Sequence, residues 1–189
     1  MNGERICQIS LSVSGYHNVY NALATAAVAL LCGVSAEDIV SGIAGFTGAA
    51  RRMELKGAVN GARVYDDYGH HPTEVATTLE GVKKMLDGGR LFCVFQSHTY
   101  SRTRALFDDF ATALSVADRV IVADIYAARE VDTLGVSPEL LAQKIEGGVA
   151  CHGFENIAKM LQGELKSGDI AVVMGAGDIW QVFEHLDFD

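Results

Sequence analysis

Leu91-Phe92-Cys93-Val94-Phe95-Gln96-Ser97-His98-Thr99-Tyr100-Ser101-Arg102-Thr103-Arg104 changes character part-way along. Its first five residues form an apolar run of strand length, and beyond it Leu106, Phe107, Phe110, Ala113 and Leu114 recur at helical spacing. The residues between are therefore a strand-to-helix turn, carrying a His, a Tyr, hydroxyls and two Arg. Arginine and a helix N-terminus both favour negative charge, so such a turn suits an anionic group. A polar loop with a Ser cap and solvated arginines is the plainer reading of the same residues.

The same strand-then-helix alternation extends on both sides. Apolar runs at 63–66, 91–95, 119–123, 149–151 and 170–174 are each followed by a helical pattern, at 73–85, 102–114, 138–145, 155–165 and 178–186. This predicts an α/β fold, a mostly parallel sheet covered by helices on both faces. Before it, Met53 to Val59 and Ala62 to Tyr68 flank Asn60-Gly61, the signal of a hairpin with a type I′ turn. Residues 5–14 alternate as a half-buried strand should. The Ala-rich stretch from His17 to Leu31 predicts a largely buried helix ended by Gly33. A second helix starts at an N-cap Ser35 and runs to about Ala44; Gly42, Gly45 and Gly48 then mark a joint, giving units 1–47 and 48–189.

Composition sets limits on function. A net charge of −9 argues against a nucleic-acid binder that works by neutralising phosphates, while leaving room for an anionic ligand in a local basic pocket. Four cysteines without CxxC spacing predict buried free thiols in a reducing compartment rather than a disulfide frame or zinc site. The longest apolar stretch, Ala22 to Cys32, is too short to span a membrane, and nothing at the N-terminus resembles a signal peptide. The expectation is a cytoplasmic protein.

In open sheets of this kind ligands bind beyond the carboxyl ends of the strands. Those ends read Asp66-Asp67-Tyr68-Gly69-His70-His71, Gln96 to Arg102, Asp124-Ile125-Tyr126 and Gly175-Ala176-Gly177-Asp178. The first could supply metal ligands, a ribose-binding carboxylate or an imidazole for phosphate, or His71 could simply cap the helix that Pro72 begins. Gly175-Ala176-Gly177 is weak as a dinucleotide fingerprint and reasonable as a tight turn that lets a substrate approach the backbone. Asn18 reads by default as a first-turn or cap residue and Arg51-Arg52 as solvated charge. No Walker A loop occurs; Lys166-Ser167 lacks the glycines that would precede it.

Four stretches taken together, Gly15 to Ala22, Gly48 to Arg52, Asp66 to Glu74 and Phe95 to Thr103, resemble the Mur ligases, in the same order over nearly the whole chain. The resemblance implies that residues 1–47 are the tail of a central ATPase domain and 48–189 a C-terminal Rossmann-like domain. It implies that ATP, with Mg2+ bound mainly by the rest of the central domain, phosphorylates the lactyl carboxylate of UDP-N-acetylmuramate. The amine of L-alanine then attacks the acyl phosphate to form an amide, a cytoplasmic step in making peptidoglycan precursors. His17 and Asn18 would lie near the adenine, with Arg52, Asp67 and Tyr68 on the nucleotide's ribose and phosphates. His70 would face the phosphates or the reacting groups, and His98 and Arg102 would hold the amino acid. With neither phosphate loop, magnesium-binding residues nor nucleotide-sugar domain, this segment alone is expected not to ligate. Ser97 stands where Pro, and Arg129 where Gly, is expected. The alternatives are a recycling ligase that takes a tripeptide, a stand-alone binding module, and a metal hydrolase built on His70, His71 and His98.

Overall fold

A computed structural model describes residues 5–13, 16–131 and 135–189, apart from the side chains of Tyr16 and His17. The chain divides into two compact units, Met1–Ala50 and Arg51–Asp189.

The first unit holds α1 (Tyr16–Leu31) and α2 (Ala36–Ala44), the latter capped by Ser35, whose hydroxyl accepts the Asp38 N–H at 3.1 Å. Two expectations fail here. Residues 5–13 form no strand, because a strand exists only with a ladder partner and none lies beside them among the described residues. Nor is α1 largely buried: Tyr20, Leu23 and Leu31 are 72%, 57% and 76% exposed, and its most buried positions are Ala22 and Ala26. Fifty residues are too few to surround a sixteen-residue helix.

The second unit is a six-stranded sheet. Its strands are β1 (Glu54–Val59), β2 (Ala62–Asp67), β3 (Leu91–Phe95), β4 (Arg119–Val122), β5 (Gly148–Ala150) and β6 (Ile170–Met174), in the order β1-β2-β6-β3-β4-β5. β1 pairs antiparallel with β2 through Asn60 and Gly61, whose positive φ values of 52° and 75° are those of a type I′ turn; all other pairs are parallel. Alternation along the strands builds two cores. Leu91, Cys93 and Phe95 face α3 (Pro72–Lys83), α5 (Phe107–Leu114) and α6 (Pro138–Ala142); Phe92 and Val94 face α7 (Phe154–Glu164) and a 3-10 helix (Ile179–His185).

The last helix is thus 3-10 rather than α. Its buried residues, Ile179 and Val182, are three apart and so line up along a helix with three residues per turn. The single helix expected over 102–114 is two, α4 (Tyr100–Ala105) and α5, broken at Leu106, where φ is −114°. Within α4 the Thr103 hydroxyl bonds back to the Thr99 carbonyl at 2.6 Å, a pattern that bends helices. Of the four cysteines, Cys93 and Cys151 are buried, whereas Cys32 is exposed and Cys7 half-buried, correcting the expectation for those two.

β6 lies between β2 and β3, and the chain leaves β2 and β3 for one face of the sheet but leaves β6 for the other. A crevice therefore opens where these three carboxyl ends meet.

Candidate functional site

Arg51 holds two sides of that crevice together. Its Nε donates to the buried Asp66 carboxylate at 3.2 Å, and its terminal nitrogens donate to the carbonyls of Gly175 at 2.6 Å and Gly177 at 3.4 Å. Its own carbonyl accepts the Tyr68 N–H at 2.6 Å, and its guanidinium lies 5.1 Å from the Tyr68 ring centre. So Arg51 is a tie and not solvated charge. Arg52 is exposed, 5.7 Å from the same ring.

Asp67 is 3% exposed and accepts the Met53 N–H at 3.0 Å and the Gly69 N–H at 2.8 Å. Burial pushes its pKa up, against those two N–H groups and Arg52. His71 caps α3, its Nδ1 accepting the Thr73 N–H at 3.3 Å, while Glu74 reaches back to the N–H groups of His70 and His71. His70 Nδ1 lies 3.0 Å from the Tyr68 carbonyl. A carbonyl only accepts, so Nδ1 carries the proton and Nε2 presents a lone pair.

On the β3 side the chain stays extended past Phe95. Tyr126 N–H donates to the Ser97 carbonyl at 2.9 Å, and Thr99 N–H to the Tyr126 carbonyl at 2.8 Å. Thr99 then turns sharply into α4 with φ 67°, a left-handed conformation that a β-branched residue adopts only under strain. His98 precedes this turn and Arg102 follows it. Four rings cross the crevice in sequence: Tyr68 to His70 at 5.4 Å, His70 to His98 at 6.4 Å, and His98 to Tyr126 at 5.3 Å. Burial holds the His98 pKa below its ordinary value, helped by the charges of Arg102 and His70. The Arg102 guanidinium makes no hydrogen bond or ion pair among the described residues, which leaves it available to an anion.

Gln96, buried at the end of β3, donates to Asp178 at 2.8 Å and accepts the Ile179 N–H at 3.1 Å. A Cβ on Gly177 would collide with the Gln96 amide oxygen and the Tyr126 ring, so this turn requires glycine for close approach. Among the described residues no group of three His, Cys, Asp or Glu side chains is placed to hold a metal ion, which leaves the metal hydrolase without a ligand set.

Residues 51–177 match the family described as Mur ligase, glutamate ligase domain. The chain belongs to the Mur ligase family. Among similar proteins, UDP-N-acetylmuramate–L-alanine ligase of Clostridium novyi is 50% identical over 187 residues, 97% of this chain and 41% of that protein. The enzyme of the same name from Lachnospira eligens is 48% identical over 190 residues. The solved UDP-N-acetylmuramate-alanine ligase of Thermotoga maritima superposes with a TM-score of 0.74 at 25% identity, covering 97% of this chain and 40% of that one. A murein peptide ligase from Psychrobacter arcticus gives 0.68 at 29% identity, covering 98% and 39%. This chain thus spans about two fifths of the length of the relatives it matches.

In this Mur ligase chain the structure gathers Arg52, Asp67, Tyr68, His70, His98 and Arg102 at the carboxyl ends of β2 and β3. Asn18 is the third residue of α1, in the other unit, and the His17 side chain lies outside the described residues. Sequence reasoning missed Arg51, Gln96 and Tyr126 as supports of the site. Gln96 carried a signal, a polar residue directly after five apolar ones. Of the two departures, Ser97 places its hydroxyl 3.0 Å from the Thr103 hydroxyl, a hydrogen bond that proline could not make. The positive φ in the next loop belongs to Ala128, at 54°, so Arg129 needs no glycine.

Proposed function

We propose that this chain is the C-terminal part of an ATP-dependent, amide-forming ligase that joins L-alanine to UDP-N-acetylmuramate in peptidoglycan precursor synthesis in the cytoplasm. The observation that carries the reading is the run of rings and guanidinium groups from Arg52 through Tyr68, His70 and His98 to Arg102, which brings two separate sequence motifs into one crevice. The names of the most similar relatives agree with it.

Each residue then has work suited to its chemistry. Arg102 pairs with the amino acid's carboxylate in a charge-assisted hydrogen bond, and His98 borders the same ligand. His70 directs the Nε2 lone pair into the crevice, where it accepts a proton from a phosphate or a reacting group. Tyr68, stiffened by two arginines, offers a face to the nucleotide, and Arg52 a charge to its phosphates. Asp67 keeps lone pairs for a ribose hydroxyl beyond the two backbone bonds it already accepts. His17 and Asn18, in the first unit, are assigned to the adenine. ATP and Mg2+ supply the phosphoryl transfer, held chiefly by a central domain of which residues 1–47 form the tail; residues 48–189 form the C-terminal domain. Positioning the amine beside the acyl phosphate is this domain's contribution to rate.

The test is amide formation by the full-length ligase that carries this segment. Arg102→Ala is expected to raise the KM for L-alanine by about 10- to 100-fold, the loss of one charge-assisted bond to a carboxylate. An unchanged KM and turnover sink the assignment, and use of a tripeptide in place of L-alanine identifies the recycling ligase instead.

A further inference from the structure

His98 and His70 face each other across the crevice with ring centres 6.4 Å apart and Arg102 acting on one of them. The Tyr68 carbonyl lies 3.0 Å and the Glu74 carboxylate 3.7 Å from His70 Nδ1, so that ring is held from the β2 side of the crevice. Among the described residues, the groups that act on His98 come from three places. Arg102 on α4 and His70 after β2 disfavour charge there, and the Tyr126 phenol ring after β4 packs against it at 5.3 Å. Glu130, in the same loop, favours charge, but both its oxygens are engaged by Ser101, one by the N–H at 2.9 Å and one by the hydroxyl.

We infer that His98 is the proton acceptor for the incoming amino acid. The inference rests on the ligase reading above. An α-amino acid carries its nitrogen one carbon from its carboxylate, so a carboxylate held on Arg102 delivers the amine to the neighbourhood of His98. The ammonium first loses one proton to solvent. The nitrogen lone pair then forms the C–N bond to the acyl phosphate while the C–O bond breaks, its electron pair leaving with phosphate. As the nitrogen becomes positive its acidity rises steeply, and the neutral imidazole of His98 takes the proton and passes it to water. Glu130 is a poorer acceptor, because the Ser101 bonds hold its pKa below the usual carboxylate range. The ring is also fixed in advance: Thr99 and Tyr126 pin the backbone on either side, and Tyr126 supports the imidazole face.

The experiment is the pH dependence of kcat/KM for L-alanine in the full-length ligase carrying this segment, with and without His98→Gln. Wild-type enzyme supplied with hydroxylamine, a nucleophile that is already neutral, first checks for hydroxamate and hence for the acyl phosphate. Its absence sinks the ligase reading, and this inference with it. Given hydroxamate, log kcat/KM is expected to rise with slope one at neutral pH, for the amine, and to steepen to slope two in acid, as His98 also protonates. His98→Gln should flatten the acid limb to slope one and lower kcat by about 100-fold or more, the usual contribution of a positioned base. A variant that keeps the steep limb, or that raises KM while kcat stays constant, overturns the inference and leaves His98 a binding residue. His98→Asn provides the same comparison should the glutamine variant fail to fold, and imidazole added to His98→Ala should restore part of kcat.

Discussion

Arg51 shows how much one side chain can hold when its partners come from distant parts of the chain. Its mate Asp66 is 2% exposed, and burial lifts the Asp66 pKa despite the guanidinium beside it. Removing the guanidinium leaves a buried carboxylate and two turn carbonyls without their donor. Arg51→Ala should therefore destabilise the second unit by about 2–3 kcal/mol, at the low end for a broken buried pair because Arg51 keeps some solvent contact. Urea unfolding measures this, and adding Asp66→Asn to the variant should recover part of the loss, since no charge is then stranded. If the single variant unfolds at the wild-type midpoint, the tie contributes nothing. Thr99 presents the opposite case, a residue held against its preference. Thr99→Gly removes the left-handed strain at φ 67° and forfeits a long capping bond of 3.4 Å, so a gain of up to about 1 kcal/mol is expected. Activity should fall as the turn that presents His98 and Arg102 loosens. A stabilised, fully active Thr99→Gly would show that the strain has no functional role.

The strands of the sheet and the hairpin turn were legible because their signals are local. Asn60-Gly61 specifies its turn through backbone preference alone, and the apolar runs declared strands buried on both faces. Elements whose form depends on remote partners were not. The break at Leu106 follows from how Thr103 bonds, and the 3-10 helix from where Ile179 and Val182 meet the sheet, neither of which periodicity reveals. Another such link joins β4, β5 and α6: His152 Nδ1 meets Asp124 at 2.5 Å and Nε2 meets Glu139 at 2.8 Å. The Asp124 bond, then the Asp124 charge and Glu139, raise the His152 pKa above its ordinary value. A raised folded-state pKa means that the native state binds the proton more tightly than the unfolded one. The stabilisation is thus complete below about pH 6.5 and disappears as pH climbs through the folded value. His152→Gln should lower the urea midpoint at pH 5.5 and leave it nearly unchanged at pH 9, by a small amount because the cluster is well exposed. A difference independent of pH would mean that the imidazole acts by packing and not by charge.

At the scale of the molecule, the two units differ in how they are held together. Both cores of the second unit draw every buried residue from position 59 onward, with Phe92, Phe95, Leu79 and Leu161 fully enclosed and Met53 packed at the edge. The first unit leaves most of the apolar side of α1 exposed. Composition could not distinguish these outcomes, because an Ala- and Leu-rich helix reads as buried whether or not its covering partner belongs to the same chain. Nor could it place Arg51, whose partner Gly175 lies 124 residues away. The asymmetry has a measurable consequence. Residues 51–189 expressed alone should unfold in a single cooperative transition with a midpoint within about 2 °C of that of the whole chain, since a shift much below 1 kcal/mol is expected when no core residue is lost. In that segment Phe92→Ala should cost about 3–5 kcal/mol, because a side chain packed between β3 and α7 leaves a cavity that rigid strands cannot close. Leu23→Lys and Leu31→Lys in the whole chain should leave the transition where it is while reducing dye binding to exposed apolar surface. A segment 51–189 that fails to fold, or lysine variants that unfold the sheet, would place stabilising contacts of the second unit in residues 1–50, against the division of the cores.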